Sequence, residues 1–99
     1  MNKHCVESAF TMEILKGACA GTIESSDAYV EIEPNSELNI QIESIVKKQF
    51  GDKIELSVRE VLADHAVTSA IVRVMDRGAL DCVIRARVET AIKRCRGEQ

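Results

Sequence analysis

The chain has 99 residues, a formal net charge of −3, 45% hydrophobic and 29% charged residues, which allows one soluble globular domain and no more. Folding at this size buries roughly 60 to 70% of the unfolded surface, enough for one modest core without staples. Two Phe, one Tyr and no Trp exclude a rich aromatic platform for stacking bases. No basic patch precedes the C-terminal helix, which disfavours nucleic acid as a partner, because phosphate neutralisation needs a basic surface.

The first ten residues include Lys3, His4 and Glu7 and lack an apolar core run, so no secretory segment is expected there. No stretch approaches about 18 apolar residues, so no membrane span is expected. The cysteines are Cys5, Cys19, Cys82 and Cys95, none in a C-x-x-C pair. They read as reduced thiols of a cytoplasmic protein.

Residues 1–11 are polar and unpatterned, and are expected to form a disordered N-terminal extension. Met12 is a second possible start, and residues 12–99 are expected to be the single domain. A short strand is expected around Thr22 and Ile23. Glu24-Ser25-Ser26-Asp27 is a polar break that reads as a hairpin turn, since Ser and Asp bond nearby backbone. Ala28, Val30 and Ile32 then alternate with Tyr29, Glu31 and Glu33, the period of a half-buried strand. Pro34-Asn35-Ser36 is a second turn. Leu38, Ile40 and Ile42 give the cleanest strand pattern in the chain.

From Ser44 the period changes. Ile45, Val46 and Phe50 suit a short helix that Gly51 can end, and Asp52 with Glu55 resembles a capping box for a second helix. Ile54, Val58, Val61 and Leu62 fall on one face of that second helix. A strand follows over Ala70 to Met75, then a turn at Asp76-Arg77-Gly78. Leu80, Ile84, Val88, Ala91, Ile92 and Cys95 mark the apolar stripe of a final long helix. The expected fold is therefore α+β in the order β-β-β-α-β-α, a mostly antiparallel sheet with helices on one face. Val30, Ile32, Ile40, Ile42, Val72, Val74, Ile84 and Val88 are the expected core.

Most catalytic templates are absent. The five glycines are dispersed, so there is no phosphate loop. His65 falls at the end of a predicted helix and reads as a surface or helix-end residue. A cysteine hydrolase would lack a credible base, and Cys95 reads as a buried small hydrophobe. Glu24 and Asp27 on a polar turn read as solvated carboxylates with unremarkable proton affinity. What remains is an exposed turn serine, which by itself says little.

Three stretches say more: AGTIESSD at 20–27, IVKKQFGD at 45–52 and GALDCVIRAR at 78–87. In this order and spacing they resemble the acyl carrier proteins of citrate lyase, the gamma chain, over about Met12 to Arg94. The resemblance implies a non-catalytic carrier subunit. Its prosthetic group would be 2'-(5''-phosphoribosyl)-3'-dephospho-CoA, joined to Ser25 through a phosphodiester. Members of that family have Gly or Ser at the position matching Ser26, which makes Ser26 a neighbour rather than the attachment point. The resemblance also implies the partners: an attachment enzyme and the alpha and beta chains of the lyase. The alpha chain exchanges acetyl for citrate on the arm, and the beta chain cleaves the citryl thioester to oxaloacetate. Two rival readings are a carrier subunit of malonate decarboxylase, and a structural or adaptor domain in which both serines only shape the turn.

Overall fold

The computed structural model describes residues 16–44 and 47–97. The expected extension over residues 1–11, the second start at Met12, and Ile45 and Val46 lie outside the described residues, as does the Phe50 side chain. Among these residues, six elements follow in chain order: β1 (Ala18–Gly21), β2 (Ala28–Glu33), β3 (Leu38–Ser44), α1 (Lys47–Asp64), β4 (Ala70–Asp76) and α2 (Asp81–Cys95). The order is β-β-β-α-β-α, as the hydrophobic periods imply. The first strand ends at Gly21, so Thr22 and Ile23 belong to the loop that follows it.

The four strands form one sheet in the order β1-β2-β4-β3. β1 pairs antiparallel with β2, and β2 with β4. β3 pairs parallel with β4, so the sheet is mixed. A parallel neighbour needs a crossover, and α1 provides it between β3 and β4.

Register places the core. Ala20, Val30, Val74 and Ile42 form one row across the sheet, and Ala18, Ile32, Val72 and Ile40 the next. Both rows face the helices, because side chains along a strand alternate between faces. α2 packs over β1 and β2, α1 packs beside β3, and the helices also touch each other. Val30, Ile32, Val58, Leu62, Val72, Val74, Val88 and Ile92 are all but sealed from solvent. Ile40 and Ile42 are only half-buried, against expectation. They lie on an edge strand, beside an open cleft lined by Gln41, Gly51, Asp52 and Glu55.

Two boundaries differ from those expected. α1 runs unbroken through Gly51 and Asp52. A mid-helix glycine costs only about 1 kcal/mol, less than the burial of Ile54, Val58, Val61 and Leu62 on the same helix contributes. Leu80 is not part of the buried stripe of α2: it is the residue before the first helical one and is 71% exposed.

The end of α1 carries a local signal that glycine counting misses. Ala66 has φ 58°, the Val67 N–H bonds the Leu62 carbonyl at 2.8 Å, and the Ala66 N–H bonds the Ala63 carbonyl at 3.0 Å. This is a Schellman cap with alanine where glycine is usual. Buried Val67 and Leu62 supply its apolar contact.

Candidate functional site

The third core-facing row ends the sheet: Ala28, Asp76 and Ser44 stand in register. Asp76 is 2% exposed. Its carboxylate accepts from Ser44 Oγ at 2.7 Å and from the Ala79 N–H at 2.8 Å. A buried carboxylate is tolerated where donors meet it. These bonds hold the loop leaving β4, and that loop holds the Ser25 turn.

Glu24, Ser25, Ser26 and Asp27 form a β-turn closed by the Asp27 N–H bonding the Glu24 carbonyl at 3.2 Å. Ser26 has φ 66°. Positive φ at the third position of the turn marks type II, where glycine is the least strained residue. The turn is fastened to the sheet from one side: the Ser26 N–H bonds the Arg77 carbonyl at 2.8 Å, and the Arg77 N–H bonds the Asp27 carbonyl at 3.0 Å. These bonds extend the β2–β4 ladder beyond Ala28 and Asp76.

Asp27 fastens the other side. Its carboxylate accepts from Arg87 Nε and Nη2, both at 3.0 Å. It also accepts from Thr22 Oγ1 and from the Ala28 N–H, both at 2.7 Å. The Arg87 bonds, then those of Thr22 and Ala28, hold the Asp27 carboxyl down at about 2, against an ordinary 3.8. Asp27 is therefore neither solvated nor ordinary in proton affinity, which corrects the expectation from its turn position. An acid this strong, already bound by four donors, is a poor general base.

Two stretches singled out in the sequence thus meet: Asp27 belongs to AGTIESSD and Arg87 to GALDCVIRAR. Gly21 makes the meeting possible. Its φ is +93°, and a Cβ there would lie 1.8 Å from the Ala28 carbonyl oxygen and 3.1 Å from Arg87 Cδ. Arg87, Arg77, Thr22 and Gly21 were not identified as site-forming residues from the sequence. A guanidinium seven residues after an exposed helix start, and a Thr five residues before an Asp, carry no local period that points at each other.

Ser25 lies at the exposed tip of this turn, between antiparallel β1 and β2. Its Oγ makes no hydrogen bond to any described residue. Every neighbour that braces the turn does so through other groups, leaving the hydroxyl free for an incoming reagent. Elsewhere, His65 follows α1 with Nε2 3.8 Å from Glu89, a helix-end role as expected. Cys95 is 1% exposed, its Sγ is 3.8 Å from the Ile32 carbonyl oxygen, and burial raises its thiol pKa. Among the described residues no helix is long and apolar enough to cross a membrane.

The Asp27 clamp has a pH signature. Because its folded pKa lies below its ordinary value, its stabilising contribution is complete above 3.8 and disappears as pH falls toward about 2. Asp27→Asn should cost on the order of 1 kcal/mol at neutral pH, after allowing for solvent screening. It should also flatten the acid limb of stability. Urea midpoints of both proteins across that pH range test this. Parallel acid limbs would show that the Asp27–Arg87 pair contributes no pH-dependent stability.

Residues 15–95 match the family described as ACP: Malonate decarboxylase delta subunit (MdcD). The citrate lyase acyl carrier protein of Haemophilus influenzae (strain PittEE) is 55% identical over 87 residues, covering 88% of this chain and 92% of that one. Citrate lyase acyl carrier protein 2 of Salmonella paratyphi A is 52% identical over 85 residues, covering 84% and 88%. Among solved structures, a Pseudomonas malonate decarboxylase hetero-tetramer in complex with malonate contains a chain of the same fold. Its TM-score is 0.74 at 21% identity, covering 86% of this chain and 89% of that chain. Identity above one half across nearly the whole length of both chains, with a fold shared by the decarboxylase carrier group, places this chain in the citrate lyase acyl carrier protein family.

Proposed function

We propose that the chain is the carrier subunit of citrate lyase and that Ser25 is its attachment residue. The arm is 2'-(5''-phosphoribosyl)-3'-dephospho-CoA, joined by a phosphodiester. When bound, it supplies a terminal thiol that carries acetyl and citryl thioesters during cleavage of citrate to oxaloacetate and acetate. The observation that carries the assignment is the free, exposed Ser25 Oγ on a turn braced by the Ser26 backbone and the Asp27 carboxylate.

The residues present suit such a group. A hydroxyl at a hairpin tip can enter another protein's active site, which a helix face or a core position would not allow. The bracing by Arg77 and Asp27 keeps the tip in one conformation, so the attachment enzyme meets a defined target. The domain itself holds and presents the arm. Tethering raises the effective concentration of cargo at each partner site, and the chemistry belongs to the alpha and beta chains. The attachment enzyme, these two chains and a cytoplasmic setting complete the reading.

A second reading, carrier for malonate decarboxylase, is favoured by the family match and the shared fold. The 52–55% identities to citrate lyase carriers weigh against it. Intact mass and peptide mapping of protein from its native host should place one covalent group on the peptide containing Ser25. Unmodified protein from cells that are degrading citrate would instead favour an adaptor domain. A group on Ser25 together with activity only in a reconstituted malonate decarboxylase would favour the second reading.

A further inference from the structure

Six of the chain's seven arginines have a partner for the guanidinium. Arg59 pairs with Glu55, and Arg73 lies between Glu31 and Glu33. Arg85 binds Asp81 and Glu60, and Arg87 binds Asp27. Arg94 donates to the Cys19 carbonyl and Arg96 to the His65 carbonyl. Arg77 alone has no ion pair and no side-chain hydrogen bond among the described residues, although it is half-buried. It is also the arginine whose backbone carbonyl and N–H are both bonded to the Ser25 turn, to the Ser26 N–H and the Asp27 carbonyl.

The carboxylates nearest in the chain and ladder do not answer it. Asp76 is turned into the core and bound by Ser44 and Ala79. Asp27 is bound by Arg87, Thr22 and Ala28. Glu24 is exposed and forms no ion pair with Arg77. The Arg77 backbone is therefore fixed against the Ser25 turn, while its guanidinium has no ion pair or hydrogen bond among the described residues. Arg77 stands across the ladder from Asp27, two residues from Ser25, and an extended arginine side chain is longer than the spacing of about 4.8 Å between paired strands.

We propose that Arg77 binds the phosphodiester that joins the arm to Ser25, fixing the direction in which the arm leaves the domain. The inference rests on Ser25 being the attachment residue. A phosphodiester carries one negative charge at every physiological pH, and two of its oxygens match the planar donor fork of arginine. Arg77 is a positioning residue: it makes and breaks no bond. It lets the root of the arm be ordered while the remainder stays mobile between two partner sites.

The test compares the wild-type protein before and after modification by the attachment enzyme, with the modification verified by mass. Arginine Nε–Hε resonances and the phosphorus resonance of the diester are recorded. On modification, the Arg77 Nε–Hε signal should move more than that of any other arginine, while that of Arg59 stays in place. In modified Arg77→Gln the phosphorus signal should shift from its wild-type position, and Arg77→Lys should restore most of it. High salt should shrink the wild-type difference. An Arg77 signal that is the same with and without the group overturns the inference, as does a phosphorus signal unchanged in Arg77→Gln. If wild-type Ser25 gains no mass at all, the carrier reading falls and this inference falls with it. Mass on Ser25 with a silent Arg77 overturns the inference alone.

Discussion

Ser25→Ala is expected to abolish citrate cleavage by the assembled lyase while leaving the fold intact. The Ser25 side chain is exposed and makes no hydrogen bond to a described residue, so its loss should change stability by only about ±0.5 kcal/mol. On the proposed assignment, losing its oxygen would leave no phosphodiester and no tethered thiol, and both catalytic partners would lose their substrate together. Ser26→Ala should be far milder, since the Ser26 backbone, at φ 66°, is what the turn uses. Ser26→Gly should be milder still, because glycine accepts that conformation without strain. Each variant would be treated with the attachment enzyme, weighed, reconstituted with the alpha and beta chains, and assayed for oxaloacetate. Normal turnover and a normal mass increase in Ser25→Ala would refute the assignment and direct attention to Ser26.

Gly21→Ala should be strongly destabilising for a change of a single methyl group. The new Cβ would lie 1.8 Å from the Ala28 carbonyl oxygen at a residue with φ +93°. Left-handed backbone costs an alanine roughly 1–2 kcal/mol, and relieving the collision by shifting packed backbone adds about 1–3 kcal/mol. The shift would also disturb the Arg87–Asp27 pair, since Arg87 Cδ would lie only 3.1 Å from the methyl. The variant should therefore lose stability and accept the prosthetic group slowly. Gly97→Ala is the control: its φ is +79° but nothing lies within 4 Å of the added carbon, so it pays the conformational term alone. Equal urea midpoints for Gly21→Ala and Gly97→Ala would show that the close approach at Gly21 is not a constraint.

The geometry of the Ser25 turn would accept glycine as well as serine at position 26. A type II turn needs positive φ there, and serine accepts it at some cost. The same geometry separates the two serines. One is held by its backbone in a strained conformation, and the other is free at the tip. Sequence position alone does not make that distinction.

Periodicity was sufficient for the element order and for most of the core. Alternation over Ala28–Glu33 and Ala70–Asp76, and the stripe from Ile84 to Cys95, are consequences of local geometry, and local geometry is written in consecutive residues. The placement of Ser25 on an exposed turn came from the same source, because Ser and Asp bond their own backbone. The parallel pairing of β3 with β4, the half-exposure of Ile40 and Ile42 at the sheet edge, and the unbroken course of α1 through Gly51 were decided by packing between distant segments. The Asp27–Arg87 clamp spans 60 residues, and no local period can specify which of seven arginines a turn carboxylate will meet. That choice arises only when the sheet register and the seat of α2 bring the two together, and it turns a serine on a polar loop into one held at a defined, braced tip.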